Sequence, residues 1–84
     1  MSLELPKLKM KGFRAVEKYP TIDCYREQTA DGFALILEVK KAPDGAPVFI
    51  ISTLDYVLGF TADPNDAFQF LHNATIFDRA ELEP

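Results

Sequence analysis

The chain has 84 residues and a mass of 9.5 kDa, which is enough for one small domain and excludes two. Its composition, 48% hydrophobic and 26% charged, excludes an intrinsically disordered chain and indicates a globular one. Thirteen acidic residues against nine lysines and arginines give a net charge of −4, which argues against binding along the phosphates of a nucleic acid.

The N-terminal segment carries lysines that alternate with apolar side chains. Lys7, Lys9 and Lys11 would lie on one side of an extended strand. Lysines on an outer strand prevent it from pairing with other chains. We therefore predict that residues 1–11 form an N-terminal edge strand or a flexible arm.

The clearest pattern lies in the middle of the chain, where residues 33–41 alternate between apolar side chains and others. This period of two is typical of a half-buried strand. Asp-Gly precedes the strand and Pro-Asp-Gly follows it, and both are turn sequences. The pattern predicts a three-stranded antiparallel meander over residues 21–28, 33–41 and 48–52.

The second hairpin of this meander has a self-consistent register. In that register Val39 lies opposite Phe49 and Leu37 lies opposite Ile51, which makes one side of the pair continuously apolar. The register of the first hairpin stays open, because residues 21–28 carry apolar side chains at both odd and even positions.

Two interpretations compete for the segment that follows the third strand. Ser52 and Asp55 have the spacing of a helix capping box, which favours a short helix within residues 54–60. The alternative is a fourth strand, because apolar residues also alternate from Leu54 to Phe60.

The last predicted element is a C-terminal helix. The Asp-Pro pair at residues 63–64 is typical of an N-cap followed by the first helical position, and the helix is expected to end near residue 74. We expect Phe70 to lie further round the helix, toward solvent or a neighbour. The side chains expected to face the sheet are Ala67, Phe68 and Leu71.

Together these elements predict an α+β fold in a single small domain over residues 1–84. A three-stranded antiparallel β-meander, extended at its edge if the N-terminal segment is a strand, carries one or two C-terminal helices packed on one face. The other face is then open. Side chains expected on or near that open face are Ile36, Ile50 and Tyr25.

No pattern in the sequence indicates catalysis, a cofactor or a metal. Cys24 and His72 are the single cysteine and the single histidine, far from the four clustered ligands of a zinc site. The four glycines stand alone, so no phosphate loop is present. We interpret Cys24 as a small buried hydrophobe and His72 as a solvated helix residue, and we expect no enzyme, no cofactor and no metal site.

The cellular setting is predicted from the same features. A single cysteine is typical of a reducing cytoplasm, because small secreted domains usually carry several. The longest apolar runs are far shorter than the roughly 20 residues that span a bilayer, so we expect no membrane insertion.

Aromatic residues supply the main functional hypothesis. Seven Phe and three Tyr are many for so small a core, so some should lie on a contact surface. An apolar patch is expected around Tyr56, Phe70 and Phe77, and a second docking surface around Ile36 and Ile50.

These patches predict a non-catalytic protein-interaction module: an adaptor, an accessory subunit, or an inhibitor or immunity-type protein whose partner is another protein. The small core and an open sheet edge also favour a homodimer. The alternative, which the net charge disfavours, is a nucleic-acid or ribonucleoprotein-associated protein. Its contacts would be Lys7, Lys9, Lys11, Arg14 and Lys18.

Overall fold

The structure is a computed structural model that describes residues 8–28, 32 and 34–74. Its elements in chain order are α1 (Phe13–Glu17), β1 (Thr21–Gln28), β2 (Ala34–Lys41), β3 (Pro47–Ser52), β4 (Val57–Thr61) and α2 (Pro64–Ala74). The four strands of the described part form one antiparallel sheet in the order β1-β2-β3-β4. The α+β class is confirmed, whereas the count of three strands is one too low.

The extra strand is β4, so the short helix predicted after β3 is wrong and the alternative of a fourth strand is right. The hydroxyl oxygen of Thr53 accepts hydrogen bonds from the backbone N–H groups of Asp55 and Tyr56, both at 3.1 Å. The backbone N–H of Thr53 also donates to the carbonyl of Tyr56 at 2.8 Å. These bonds close a tight turn that returns the chain to β3.

The register of β2 with β3 is as predicted. Val39 pairs with Phe49 and Leu37 pairs with Ile51. This alternation places two clusters on opposite faces of the sheet. The buried residues under α2 are Leu35, Leu37, Ile51, Ala67, Phe70 and Leu71, and those on the α1 face are Val16, Val48 and Ile50.

Helix α1 covers part of the face that was expected to be open. Gly12 precedes the helix with φ 89°, a conformation that glycine adopts without steric cost. Val16 then packs with Ile50, so Ile50 is buried. Ile36 is partly buried. The prediction that Ile36, Ile50 and Tyr25 lie on or near an open face away from α2 is therefore wrong for Ile50. It is also wrong for Tyr25, which pairs with Leu37 and lies on the α2 face.

The N-terminal segment lies at the β4 edge of the sheet. Lys9 and Phe60 exchange two backbone hydrogen bonds, each 2.9 Å long. The segment is thus an edge element, as predicted, but it makes a single bridge instead of a strand. Residues 1–7 lie outside the described residues.

The orientation of α2 differs from the expectation. Phe70 is 6% exposed and packs in the core with Ala67 and Leu71, whereas Phe68 is 67% exposed. Residues 67, 70 and 71 form an i, i+3, i+4 stripe whose small first member lets the helix approach the sheet. The predictions of a buried Phe68 and an exposed Phe70 are both wrong.

A polar network fastens the start of β1 to β2 on the α1 face. The Lys40 ammonium, which is nearly buried, donates to the Thr21 hydroxyl at 2.7 Å and lies 3.3 Å from the Glu38 carboxylate. The Thr21 hydroxyl donates to Glu38 at 2.7 Å. That hydrogen bond, with a smaller contribution from Lys40, lowers the pKa of Glu38 below its ordinary value.

Candidate functional site

The aromatic patch predicted on the outer side of α2 is not formed by the residues that the structure describes. Phe70 is in the core, and Tyr56 is partly buried, with its hydroxyl oxygen out of contact with solvent. Phe77 lies outside the described residues.

The cations of the alternative hypothesis lie in or beside α1. Lys9, Lys11, Arg14 and Lys18 are all exposed, and Lys7 lies outside the described residues. Arg14 lines a shallow depression of about 650 Å³, and the three lysines do not. The depression is lined by Met10, Gly12, Phe13, Arg14 and Glu17.

Cys24 and His72 are not brought together as a nucleophile and its base. His72 lines a groove on the α2 face, and Cys24, which pairs with Glu38 in the sheet, does not line it. Cys24 is exposed, so the expectation of a buried cysteine is wrong, because β1 is not covered by either helix. Within the described ranges, no group of three or more His, Cys, Asp or Glu side chains could hold a metal ion.

Strand β1 is the uncovered edge of the sheet. All eight of its residues are exposed, and among the described residues only β2 pairs with it. Helix α2 packs against β3 and β4, at the other side of the same sheet face. Leu35 and Leu37 of β2 are also buried in the cluster under this helix. The groove beside α2 therefore lies over β1 and its border with β2.

The groove has a volume of about 710 Å³ and a mainly apolar lining. Its floor is formed by Leu37, Val39 and Phe49. One wall is α2, which contributes Phe68, Leu71 and His72, and the other side is β1, which contributes Ile22, Asp23, Tyr25 and Glu27.

Three large apolar side chains are exposed along this groove. Ile22 is 57% exposed, Tyr25 is 51% exposed and Phe68 is 67% exposed. In the described part of the chain, the exposed large hydrophobic residues outside the groove are Met10 and Leu54. The exposed apolar surface is thus concentrated at one place.

A bulge in β1 explains how four of its residues reach the same groove. The pairing of β1 with β2 shifts between Thr21, which pairs with Lys40, and Asp23, which pairs with Val39. Ile22 is the extra residue of the bulge. Without the shift, the alternation of a strand would place Ile22 and Asp23 on opposite faces.

The carboxylate of Asp23 is fixed at the rim of the groove. It accepts the Tyr25 hydroxyl at 2.6 Å and the backbone N–H of Cys24 at 2.9 Å. The Tyr25 bond first, and the Cys24 bond second, lower the pKa of Asp23. The same hydrogen bond with Asp23 raises the pKa of Tyr25.

The groove carries negative charge. Asp23 and Glu27 both line it from β1, and among the residues that the structure describes no lysine or arginine does. An apolar floor with carboxylates along one rim suits a ligand that is apolar on one side and cationic at its margin.

Comparison of the chain with protein-family models, with curated proteins and with solved structures found no match. No helix within the described ranges is long and apolar enough to cross a membrane.

Proposed function

We propose that this chain is a non-catalytic protein-interaction module that binds its partner in the groove between β1 and α2. The observation that carries the proposal is the concentration of exposed Ile22, Tyr25 and Phe68 along one concave surface. Apolar side chains gathered in this way mark protein contact sites, whereas exposed hydrophobic residues scattered singly are ordinary.

The energy available from these three side chains shows how large the contact must be. Full burial of a large apolar side chain contributes about 1.5–3 kcal/mol, so three half-exposed ones contribute roughly 3 kcal/mol. A micromolar complex requires about 8 kcal/mol. The partner must therefore also contact the floor of the groove and its polar rim.

Differential capture tests this function. Immobilised wild-type protein and a Phe68→Ser variant are incubated with lysate of the source cells, and proteins retained at about 150 mM salt are identified. Leu54→Ser is the matched control, because Leu54 is 66% exposed in the turn between β3 and β4, outside the groove. We expect a protein that is retained by wild type and Leu54→Ser and lost by Phe68→Ser.

Two results contradict the proposal. One is a set of retained proteins that Phe68→Ser does not change. The other is the absence of any protein retained by the wild type. Folding of each variant is checked by circular dichroism, and both serines replace exposed side chains, so we expect stability within about 0.5 kcal/mol of the wild type.

The assignment as an adaptor, an accessory subunit or an inhibitor rests on the same groove and depends on which partner is captured. A cytoplasmic location is proposed because the exposed thiol of Cys24 suits a reducing compartment. Homodimerisation is proposed because the outer edge of β1 has no described partner strand. Light scattering at two protein concentrations tests the dimer.

The exposed cations at α1 support nucleic-acid binding as the second candidate function. Such a complex would weaken steeply between about 50 and 200 mM salt, because phosphate contacts release counterions. A gel-shift titration with salt separates it from binding in the groove, which we expect to depend far less on salt because its main contacts are apolar.

A further inference from the structure

The outer edge of β1 presents backbone groups that β2 does not use. The residues of an antiparallel strand alternate between those that bond to the neighbouring strand and those whose N–H and C=O groups point away from it. The N–H of Lys41 donates to the carbonyl of Pro20 at 2.9 Å, so every second residue of β2 from Lys41, including Leu37, bonds toward β1. Leu37 pairs with Tyr25, so the even-numbered neighbours of Tyr25 point outward. These outward residues are Cys24, Arg26 and Gln28.

The first of these outward N–H groups is capped by a side chain of the same strand. The backbone N–H of Cys24 donates to one carboxylate oxygen of Asp23 at 2.9 Å, and the hydroxyl of Tyr25 donates to the other at 2.6 Å. The Tyr25 bond first, and the Cys24 bond second, lower the pKa of Asp23. The carboxylate is therefore ionised at neutral pH, and both of its oxygens are engaged.

The charges of β1 limit how two copies of the strand can pair. An uncovered edge strand can pair with itself around a two-fold axis. If that axis is perpendicular to the sheet, side chains keep their faces, so one residue of β1 lies opposite itself. A centre on Asp23, Arg26 or Glu27 sets like charges opposite each other, and a centre on Tyr25 sets Asp23 opposite Glu27. Centres near either end of β1 pair fewer residues, whereas a centre on Cys24 sets Asp23 opposite Tyr25 and no like charges together.

The register that the charges allow is the one that the cap obstructs. In this register the Cys24 residues of the two copies form a hydrogen-bonded pair, because their N–H and C=O groups point outward. Each Cys24 N–H must then leave the Asp23 carboxylate and bond to the carbonyl of the other copy. We propose that the carboxylate of Asp23, by capping the N–H of Cys24, opposes an antiparallel β1–β1 dimer centred on Cys24. This inference rests on the homodimer proposed above and defines what limits it.

Sedimentation equilibrium at about 150 mM salt tests the inference on single variants of the chain. Asp23→Ala removes the cap, and two caps are lost per dimer, so the dissociation constant should fall roughly 2- to 30-fold below that of the wild type. Asp23→Asn removes the charge but keeps an oxygen that accepts the Cys24 N–H, so it should lower the dissociation constant less than Asp23→Ala does.

Glu27→Ala is the matched control. Glu27 is exposed on β1 and lines the same groove as Asp23, so its replacement removes one negative charge and leaves the cap intact. In the proposed register no like charge lies opposite Glu27. We therefore expect Glu27→Ala to change the dissociation constant by less than about twofold, because the remaining repulsion between copies is screened by salt.

A proline tests whether the stronger dimer forms at this edge. Because the N–H of Cys24 points outward, Cys24→Pro removes no bond to β2, and it removes the donor at the centre of the proposed dimer. Added to Asp23→Ala, it should abolish the gain in affinity. Circular dichroism checks that each variant is folded. If Cys24→Pro does not fold, Arg26→Pro makes the same test at the next outward position.

The outcomes separate the inference from the proposed dimer. Equal dissociation constants for wild type and Asp23→Ala overturn the inference and leave the dimer standing. A dimer of Asp23→Ala beside a monomeric wild type supports the inference and removes the wild-type dimer. If neither chain associates, both proposals fall.

Three further results would overturn the inference. Asp23→Asn as strong a dimer as Asp23→Ala would show that charge acts and the cap does not. An equal gain in Glu27→Ala would indicate the register centred on Tyr25. A dimer of Asp23→Ala that persists with the proline would lie elsewhere on the molecule. None of these results depends on binding in the groove, which the capture experiment tests separately.

Discussion

Two phenylalanines separated by one residue should differ in how much the same substitution lowers the stability of the fold. Phe70 is packed in the core, 6% exposed, and Phe68 is 67% exposed on the wall of the groove. Replacement of a buried Phe by Ala costs about 3–5 kcal/mol, a large part of the roughly 4–13 kcal/mol expected for 84 residues. Leucine is therefore the better probe, because it retains part of the packing and leaves the variant folded.

We expect Phe70→Leu to lower the free energy of unfolding by about 1–2 kcal/mol and Phe68→Leu to change it by less than about 0.5 kcal/mol. Urea unfolding followed by circular dichroism measures both. With a slope near 1 kcal/mol per molar urea, the midpoint of Phe70→Leu should fall by roughly 1–2 M. Equal shifts, or a larger shift for Phe68→Leu, would show that α2 presents another face to the sheet and would remove Phe68 from the groove.

Two further perturbations have distinct readouts. In Gly59→Ala the added Cβ meets Leu8, and the backbone φ of 151° disfavours any side chain. We therefore expect the free energy of unfolding to fall by about 1–3 kcal/mol. We also expect faster exchange of the Phe60 amide hydrogen, which donates to the carbonyl of Lys9 in the N-terminal segment. Exchange of the Phe60 amide hydrogen at the wild-type rate would mean that the N-terminal segment and β4 are not in contact. The pKa of Glu38 is lower in the folded protein than its ordinary value of 4.5. Above pH 4.5 the ionised Glu38 therefore contributes its full stabilisation of the fold, and this stabilisation is lost as the pH falls through the lowered pKa. The difference in unfolding free energy between wild type and Glu38→Gln should therefore shrink as the pH falls from about 6 to about 3, and a constant difference would contradict the network.

The parts of the fold that could be predicted from the sequence are those fixed by local signals. The register of β2 with β3 follows from a short turn and two alternating strands, and it is confirmed. The start of α2 follows from an Asp-Pro pair; it is confirmed by the first helical residue, Pro64, and by the backbone N–H of Asn65, which donates to the Asp63 carboxylate at 2.9 Å. In these places the physical cause and the sequence signal lie within a few residues of each other.

The failed predictions arose where two local patterns competed. Phe68 and Phe70 lie on different sides of α2, and Leu71 lies between them on the helix surface, so it can share a stripe with either one. Ala67, Phe70 and Leu71 are buried together against the sheet. Which stripe is buried depends on how the helix packs on the sheet, and the sequence of the helix alone does not specify this. The residues after β3 fit both a helix cap and a tight turn. In the structure the Thr53 hydroxyl accepts the backbone N–H groups of Asp55 and Tyr56, and the turn is formed.

The groove could not be predicted, because it consists of surface that other elements leave uncovered. Its one local signal was the mixture of apolar and polar residues in β1, which left the register open. The bulge at Ile22 resolves that mixture by turning Ile22, Asp23 and Tyr25 toward the same face. Where α2 stops covering the sheet depends on contacts between residues far apart in sequence.

The position of the polar network explains how β1 can remain exposed and still be held in the sheet. None of the β1 residues is buried, so side-chain packing contributes little to its attachment. The strand is held by its backbone pairing with β2 and by the contacts of Thr21 with Glu38 and Lys40, which lie on the α1 face, opposite the groove. The attachment of the strand and the proposed binding thus use different faces of β1. Substitutions at Tyr25 or Ile22 should therefore alter the proposed binding surface with little effect on stability, whereas loss of the network should weaken the attachment of the start of β1 to β2.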